Sequence, residues 1–187
     1  MLDLASQSWS AVSNIASQSL TAGQGFLIYV FDDVDYDGSS DLPVDLYVSG
    51  AHNTGNVSIG SIPQNSYYLA GNPYIKTIDW DDVSKTNLSS VISVWDDATS
   101  SWKTWNGSSG DLSNGLIAPF QGFWVQASGG VGSFTIQSGD IATSAGSFLG
   151  RTTNEEQTGS LILSISANNH IDRVYLTFNE VGQTYHD

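Results

Sequence analysis

Cysteine is absent from this 187-residue chain, which excludes disulfides, thiolate metal sites and a cysteine nucleophile. Basic residues are scarce, because 5 Lys and Arg stand against 19 Asp and Glu and give a formal net charge of −14. That charge repels phosphate backbones and anionic headgroups, so we expect no nucleic-acid partner. No apolar run approaches the ~20 residues that span a bilayer, so we expect no membrane insertion.

The residues of nucleophilic catalysis are also few. The chain has 3 His, and the segment nearest to a nucleophile elbow, residues 55–60, has its Ser58 one place too late. A catalytic triad would have to use His52, which lies in a Gly- and Asn-rich turn. The chain therefore favours a non-catalytic binding or structural module, and the alternative is a hydrolase acting on polysaccharide or ester substrates.

Acidic pairs keep that alternative open. Three aspartates surround Trp80, and they are Asp79, Asp81 and Asp82. Two carboxylates at a suitable separation can hydrolyse a glycosidic bond. Adjacent aspartates in turns are more often solvated or capping groups.

The composition and patterning indicate an all-β protein. Hydrophobic residues make up 40% and aromatics 11%, with 19 Gly for turns. Strand-like runs recur between turn signals, at residues 26–31, 44–48, 56–62, 66–70, 91–96, 102–105, 122–127 and 133–137. This spacing predicts a jelly-roll-like antiparallel β-sandwich over residues 1–138. Helical periodicity is nearly absent, and the best candidate is a helix of one or two turns over residues 80–90.

The C-terminal part is predicted to be separate. Residues 139–159 are rich in Ser, Thr, Gly and Ala, which is typical of a linker. Residues 160–187 then hold two alternating strands, 160–166 and 173–178. Two strands cannot close a core alone, so we expect a partial β segment that begins a second domain and is cut short, the alternative being that it adds to the main sheet.

Four groups of motifs in the central segment carry a family resemblance. They are residues 23–31 (GQGFLIYVF), 71–74 (GNPY) with 78–80 (IDW), 94–96 (VWD) and 117–125 (IAPFQGFWV). In this order they resemble the β-rich modules that precede the C-terminal sorting domain in proteins exported by the type IX secretion system of Bacteroidota and related bacteria. The resemblance covers residues 9–137 and implies an extracellular or cell-surface protein, with a signal peptide upstream and a sorting signal downstream. It implies no reaction.

An acidic segment suggests a calcium site. Four carboxylates at near-alternate positions surround Gly38, and they are Asp33, Asp35, Asp37 and Asp41. Such spacing lets a chain wrap a hard cation with oxygen ligands. The twelfth position of an EF-hand loop is Val44 here instead of a bidentate Glu. The alternative is therefore a solvated hairpin tip in which Asp37 and Gly38 form the turn.

The tryptophans suggest a binding surface for a polysaccharide or cell-surface glycan. Four of them are close in sequence, namely Trp95, Trp102, Trp105 and Trp124. Exposed indoles beside polar groups can hold sugar rings, whereas the alternative is that all four pack between sheets. Trp102 and Trp105 are three residues apart, so on a regular strand they point to opposite faces. Because a Lys is rarely buried unpaired, Lys103 places Trp105 on the exposed face, and the predicted ligand residues are Trp105, Trp95 and Asp96.

Calcium binding by Asp33, Asp35, Asp37 and Asp41 would stabilise the fold. A cation that binds only the folded state raises the free energy of unfolding by ~2.7 kcal/mol at one hundred times its Kd. We expect the melting temperature to rise when millimolar Ca²⁺ replaces excess EDTA. Equal melting temperatures in the two buffers would contradict the calcium site.

Overall fold

The structure is a computed structural model that describes residues 2–12, 18–28, 31–33, 36–40 and 50–149, together with the backbone of residues 159–167 and 170–178. The chain divides into two compact units, Met1–Gly150 and Arg151–Asp187. The first unit holds the core and the candidate site.

The main sheet of the first unit has four antiparallel strands in the order β4-β10-β7-β8. These strands are β4 (Tyr67–Gly71), β10 (Gly122–Gln126), β7 (Ile92–Asp96) and β8 (Ser101–Trp105). Burial alternates along them: in β10, for example, Phe123 and Val125 are buried while their neighbours are partly exposed. This period of two gives the sheet one apolar inner face and one outer face that meets water.

The second sheet has three antiparallel strands in the order β3-β11-β6. These strands are β3 (Val57–Ile62), β11 (Gly132–Ile136) and β6 (Ser84–Thr86). The register of β3 on β11 shifts between Gly132 and Phe134, opposite a bulged segment in which Ser61 has a φ of 59°. In the described part of this unit there are also two short pairs, β1 (Leu2–Asp3) with β2 (Ser8–Trp9) and β5 (Ile78–Asp79) with β9 (Leu116–Ile117).

One apolar core lies between the inner faces of these two sheets. Tyr68 of the main sheet meets Phe134 of the second sheet edge to face, with ring centroids 6.1 Å apart. Trp80, only 2% exposed, contacts Phe123 and Phe134 at centroid distances of 5.2 and 5.5 Å and so joins both sheets. The predicted all-β antiparallel fold is confirmed as a sandwich of this kind, and the jelly-roll order of strands stays a prediction.

The 71–74 motif forms a corner rather than only a turn. The buried Asn72 side chain donates to the carbonyl oxygens of Lys76, Ile117 and Ala118, and it accepts a hydrogen bond from the Tyr74 N–H. Asn72 therefore ties together the backbone of two segments, at Lys76 and at Ile117 and Ala118. This corner fixes how β4 leaves the sheet and how the 117–125 segment enters it.

The predicted helix over residues 80–90 is wrong. The chain instead makes a turn in which the Asp79 carboxylate accepts from the Asp81 N–H, and it then forms strand β6 on the edge of the second sheet. Both Trp80 and Val83 are buried, so core packing determines this segment rather than helix propensity. The helical segments of the described part of the chain are 3₁₀ turns such as Ser138–Asp140, and none of them is long and apolar enough to cross a membrane.

The predicted hairpin of strands 26–31 and 44–48 lies largely outside the described residues. Residues 26–28, which are described, belong to no strand, and their side chains are exposed. Just before them, Gln24 bridges Ala70 and the Gly25 N–H donates to the Leu69 carbonyl oxygen. The chain therefore extends the β4 edge only briefly before residue 26.

The first unit also extends past the predicted end at residue 138. Ile141 bridges Ile78, and the Leu149 N–H donates to the Gln121 side chain at 2.7 Å. Residues 139–149, predicted as part of a linker, therefore pack on the sandwich. In the second unit, β12 (Gly159–Ala167) and β13 (His170–Phe178) form the antiparallel hairpin that the alternating pattern predicts.

Candidate aromatic binding surface

Two tryptophans face solvent on the β7-β8 hairpin. The register pairs Trp95 directly with Trp102, and their rings meet edge to face with centroids 5.2 Å apart. Trp95 is 43% exposed and Trp102 is 50% exposed, although both lie on well-formed strands. Ser93 and Thr104 form the pair two residues further along the same face, and both are partly exposed. The outer face of this hairpin thus presents two large rings beside two hydroxyls.

The prediction that Trp105 is the exposed platform and Trp102 the core residue is wrong. Trp105 is 8% exposed and belongs to the core, where its Nε1–H donates to both carboxylate oxygens of Asp81 at 3.0 and 3.1 Å. Gly115 lies against the ring, since a Cβ there would stand 2.8 Å from the Trp105 Cδ1 atom. A buried indole needs a partner for its N–H, and Asp81 provides it from another part of the chain.

Lys103 explains why the prediction failed. It does share a face with Trp105, but that face is the inner one, where the Lys103 Nζ lies 3.8 Å from Asp96 and 4.0 Å from Asp111. These carboxylates offset the cost of partly burying the ammonium group. A hydrogen bond from the Thr104 N–H, and more weakly the charge of Lys103, lowers the pKa of Asp111, so its carboxylate stays ionised beside the lysine.

Asp96, a predicted ligand residue, has a structural position. It is 6% exposed on the inner side of β7, and its carboxylate accepts from the Thr99 hydroxyl at 2.6 Å and the Ala98 N–H at 3.2 Å. These bonds close the turn between β7 and β8. Of the three predicted ligand residues, only Trp95 therefore lies on the exposed face.

A second aromatic cluster lies on the same outer face. Trp124 of β10 meets Trp9 and Tyr67 edge to face, at centroid distances of 5.9 and 6.3 Å. Trp9 and Tyr67 are each nearly half exposed, whereas Trp124 is partly covered between them. The Gln7 side chain holds Trp9 in place by accepting from the Tyr67 N–H and donating to the Tyr67 carbonyl oxygen. Sequence reasoning named Trp124 but missed Trp9 and Tyr67.

Two shallow clefts flank the acidic turn around Trp80. One, of about 230 Å³, is lined by Asp81, Lys85 and Asn106, and the other, of about 340 Å³, by Asp79, Asp82 and Asn114. Lys85 lies over the Trp80 ring and donates to the Trp80 carbonyl oxygen. Burial at this position lowers the pKa of Lys85, although the nearby charges of Asp81 and Asp79 act to raise it. Asp81 accepts the hydrogen bond of the Trp105 indole N–H. One of the aspartates that could form a catalytic pair therefore has a structural role.

In the described part of the acidic segment, aspartate side chains bond backbone N–H groups of the same loop, and Asp37 makes an Asx turn. Asp33 accepts from the N–H groups of Asp37 and Gly38, and Asp37 accepts from the Ser39 N–H at 2.7 Å. Asp35 and Asp41 lie outside the described residues. Within the described ranges, no group of three or more His, Asp or Glu side chains is arranged to hold a metal ion. Calcium binding thus stays a prediction.

Comparison with known proteins adds no further evidence: the chain matches no family model, no curated protein and no solved structure. The candidate site therefore has to be judged on its geometry alone.

Truncation of Trp105 should destabilise the protein more than truncation of Trp102 does. This is the reverse of the order that the sequence predicts. Trp105→Ala removes a core side chain and leaves Asp81 without its partner, so we expect it to lower the free energy of unfolding by ~3–5 kcal/mol. Trp102→Ala removes one exposed ring and one edge-to-face contact, so we expect a loss of about 1 kcal/mol. Urea unfolding of both variants measures the difference. Equal losses would contradict the burial described here.

Proposed function

We propose that this chain is a non-catalytic binding module of an extracellular or cell-surface bacterial protein, and that it holds a polysaccharide on the Trp95 and Trp102 pair. The observation that carries this proposal is the exposure of two directly paired indoles on the outer face of a regular sheet. Single exposed apolar residues are common on protein surfaces and need no explanation. The fold does not require two large aromatic rings to lie side by side in water, so this pair is a candidate ligand surface.

The chemistry of sugars suits this surface. One face of a pyranose ring carries C–H groups that stack on an indole, while its hydroxyls need polar partners at the edge. The Ser93 and Thr104 hydroxyls lie in the adjacent row of the same face. A protein partner would also bury the tryptophans, but it would not need hydroxyl groups in that position.

The export of the protein is part of the same proposal. Its support is the resemblance of the 23–31, 71–80, 94–96 and 117–125 motifs to type IX secretion cargo. The excess of acidic over basic residues is compatible with solubility outside the cell. Calcium bound by Asp33, Asp35, Asp37 and Asp41 would stabilise the module there, and its support is the compact loop in which the Asp33 and Asp37 carboxylates accept backbone N–H groups.

The alternative function, a hydrolase, has less support. A general acid or base must be available to the substrate, yet Asp81 bonds the Trp105 indole and Asp96 closes a turn. We therefore assign the surface a binding role.

Affinity electrophoresis through gels that contain neutral polysaccharides tests this role. We expect a panel of glucan, mannan, xylan and galactan to include one that retards the parent protein, and we expect Trp95→Ala and Trp102→Ala to weaken that retention by about tenfold each, equivalent to ~1.4 kcal/mol. Tyr36→Ala is the matched control, because Tyr36 is an aromatic residue that is 85% exposed outside this sheet. Free migration of the parent protein in all four gels, or full retention of both tryptophan variants, would refute the proposal.

A further inference from the structure

The two aromatic clusters of the outer face are arranged along one line. Trp124 pairs with Ser93 on one side and with Leu69 on the other, and Tyr67 pairs with Gln126. Trp95 is therefore one strand and two residues away from Trp124, and Tyr67 is one strand and two residues away on the opposite side. The aromatic residues follow a diagonal across all four strands of the sheet.

The length of this diagonal fits several sugar rings. Three strand spacings cover about 14 Å across the sheet and four residues cover about 13 Å along it, so Trp102 and Tyr67 lie roughly 20 Å apart. Trp9, which stands on Trp124 and is 46% exposed, adds a ring to the second half of this line. A single sugar unit would leave one of the two clusters unused.

Gly122 lies next to the Trp95 and Trp102 cluster, at the end of their row on β10, and not on the diagonal itself. Continuing the pairing of Trp124 with Ser93 by two residues places Gly122 beside Trp95 on the outer face. Neither backbone nor packing requires a glycine here, because its φ is not positive and an added Cβ would meet only ordinary contacts at 3.7 Å, with the Ala70 oxygen and Leu69 Cδ1. Glycine in a strand interior lowers stability, and it often marks a place where a ligand approaches the backbone closely.

The charge of the surface restricts the ligand class. Among the described residues the basic side chains are Lys76, Lys85 and Lys103. Lys103 is paired on the inner face, Lys85 lies over Trp80, and Lys76 lies in the corner after Asn72. No described lysine therefore stands on the aromatic line, and the net charge of −14 repels anionic chains.

From these observations we propose that the ligand is a neutral, linear polysaccharide, about four units of which lie diagonally across the main sheet from Trp102 to Tyr67, with the backbone of Gly122 beside its first half. This inference rests on the proposed binding function and adds the length and charge class of the ligand. The chain is held by Trp95 and Trp102 at one end and by Trp9 and Tyr67 at the other, with Trp124 supporting Trp9.

Calorimetry with oligosaccharides of two to six units tests the inference, with the series taken from the neutral polysaccharide that retards the parent protein most. We expect the affinity of the parent to rise about tenfold between the two-unit and the six-unit ligand. Gly122→Val should weaken binding of the two-unit and the six-unit ligand alike, because its side chain would stand beside Trp95, while an added Cβ meets only ordinary contacts at 3.7 Å. Trp9→Ala and Tyr67→Ala should each reduce the rise by truncating its far end.

Gly60→Val is the matched control, because Gly60 is exposed within β3 of the other sheet and an added Cβ meets nothing within 4 Å. It should leave affinity for every ligand unchanged. Equal affinity of the parent for two and six units, or an undiminished rise in both Trp9→Ala and Tyr67→Ala, would overturn the extended chain. Tighter binding of polygalacturonate than of the neutral polymer would overturn the charge class. Failure of the parent to bind any neutral polymer would instead overturn the binding function itself.

Discussion

Trp80 is the residue on which the packing of this sandwich depends. Its ring fills the space between the two sheets and meets Phe123 of one and Phe134 of the other, both edge to face. Its backbone N–H donates to the Gly115 carbonyl oxygen at 3.0 Å, so the same residue also fixes the segment that precedes β9. A large aromatic side chain buries more apolar surface than any aliphatic one, and here that surface joins elements far apart in sequence.

The turn that carries Trp80 also determines which tryptophans of the β7-β8 hairpin face water. Asp81, the next residue, accepts the Trp105 indole N–H and so draws that ring inward. Because neighbouring side chains on a strand alternate between faces, fixing Trp105 inside places Trp102 outside and brings it opposite Trp95. The exposed pair is thus a geometric consequence of the buried one, and the function we propose uses the face that the core leaves free.

Much of this fold could be predicted from the sequence because alternation of apolar and polar residues is a local signal. This alternation predicts the strands near residues 57, 67, 92, 101, 122 and 132, and the structure has a strand at each. The same reasoning predicts that Trp102 and Trp105 lie on opposite faces, but the argument from Lys103 assigns Trp105 to the wrong one. Which face is inside depends on Asp81 and Asp111, whose contacts with this hairpin come from outside it.

A usable signal for the candidate site was nevertheless present. Trp95 and Trp102 are symmetric about the polar turn at residues 97–100, so a simple hairpin register predicts that they pair. The contribution of Trp9 and Tyr67 had no such signal, because it depends on a side-chain clamp by Gln7 that joins residues 60 positions apart. Core packing likewise determines the conformation of residues 80–90, where the sequence predicts a short helix, because Trp80 and Val83 are both buried.

We propose that Trp95 and Trp102 form the ligand surface, while Trp80 and Trp105 support it from within. A titration that follows the assigned indole N–H signals by two-dimensional NMR measures this directly, since each tryptophan reports on its own surroundings. On addition of oligosaccharide from a retained neutral polysaccharide, the signals of Trp95 and Trp102 should shift in proportion to occupancy while those of Trp80 and Trp105 stay in place. Shifts confined to Trp80 and Trp105, or saturation by the ligand with Trp95 and Trp102 unchanged, would contradict the account.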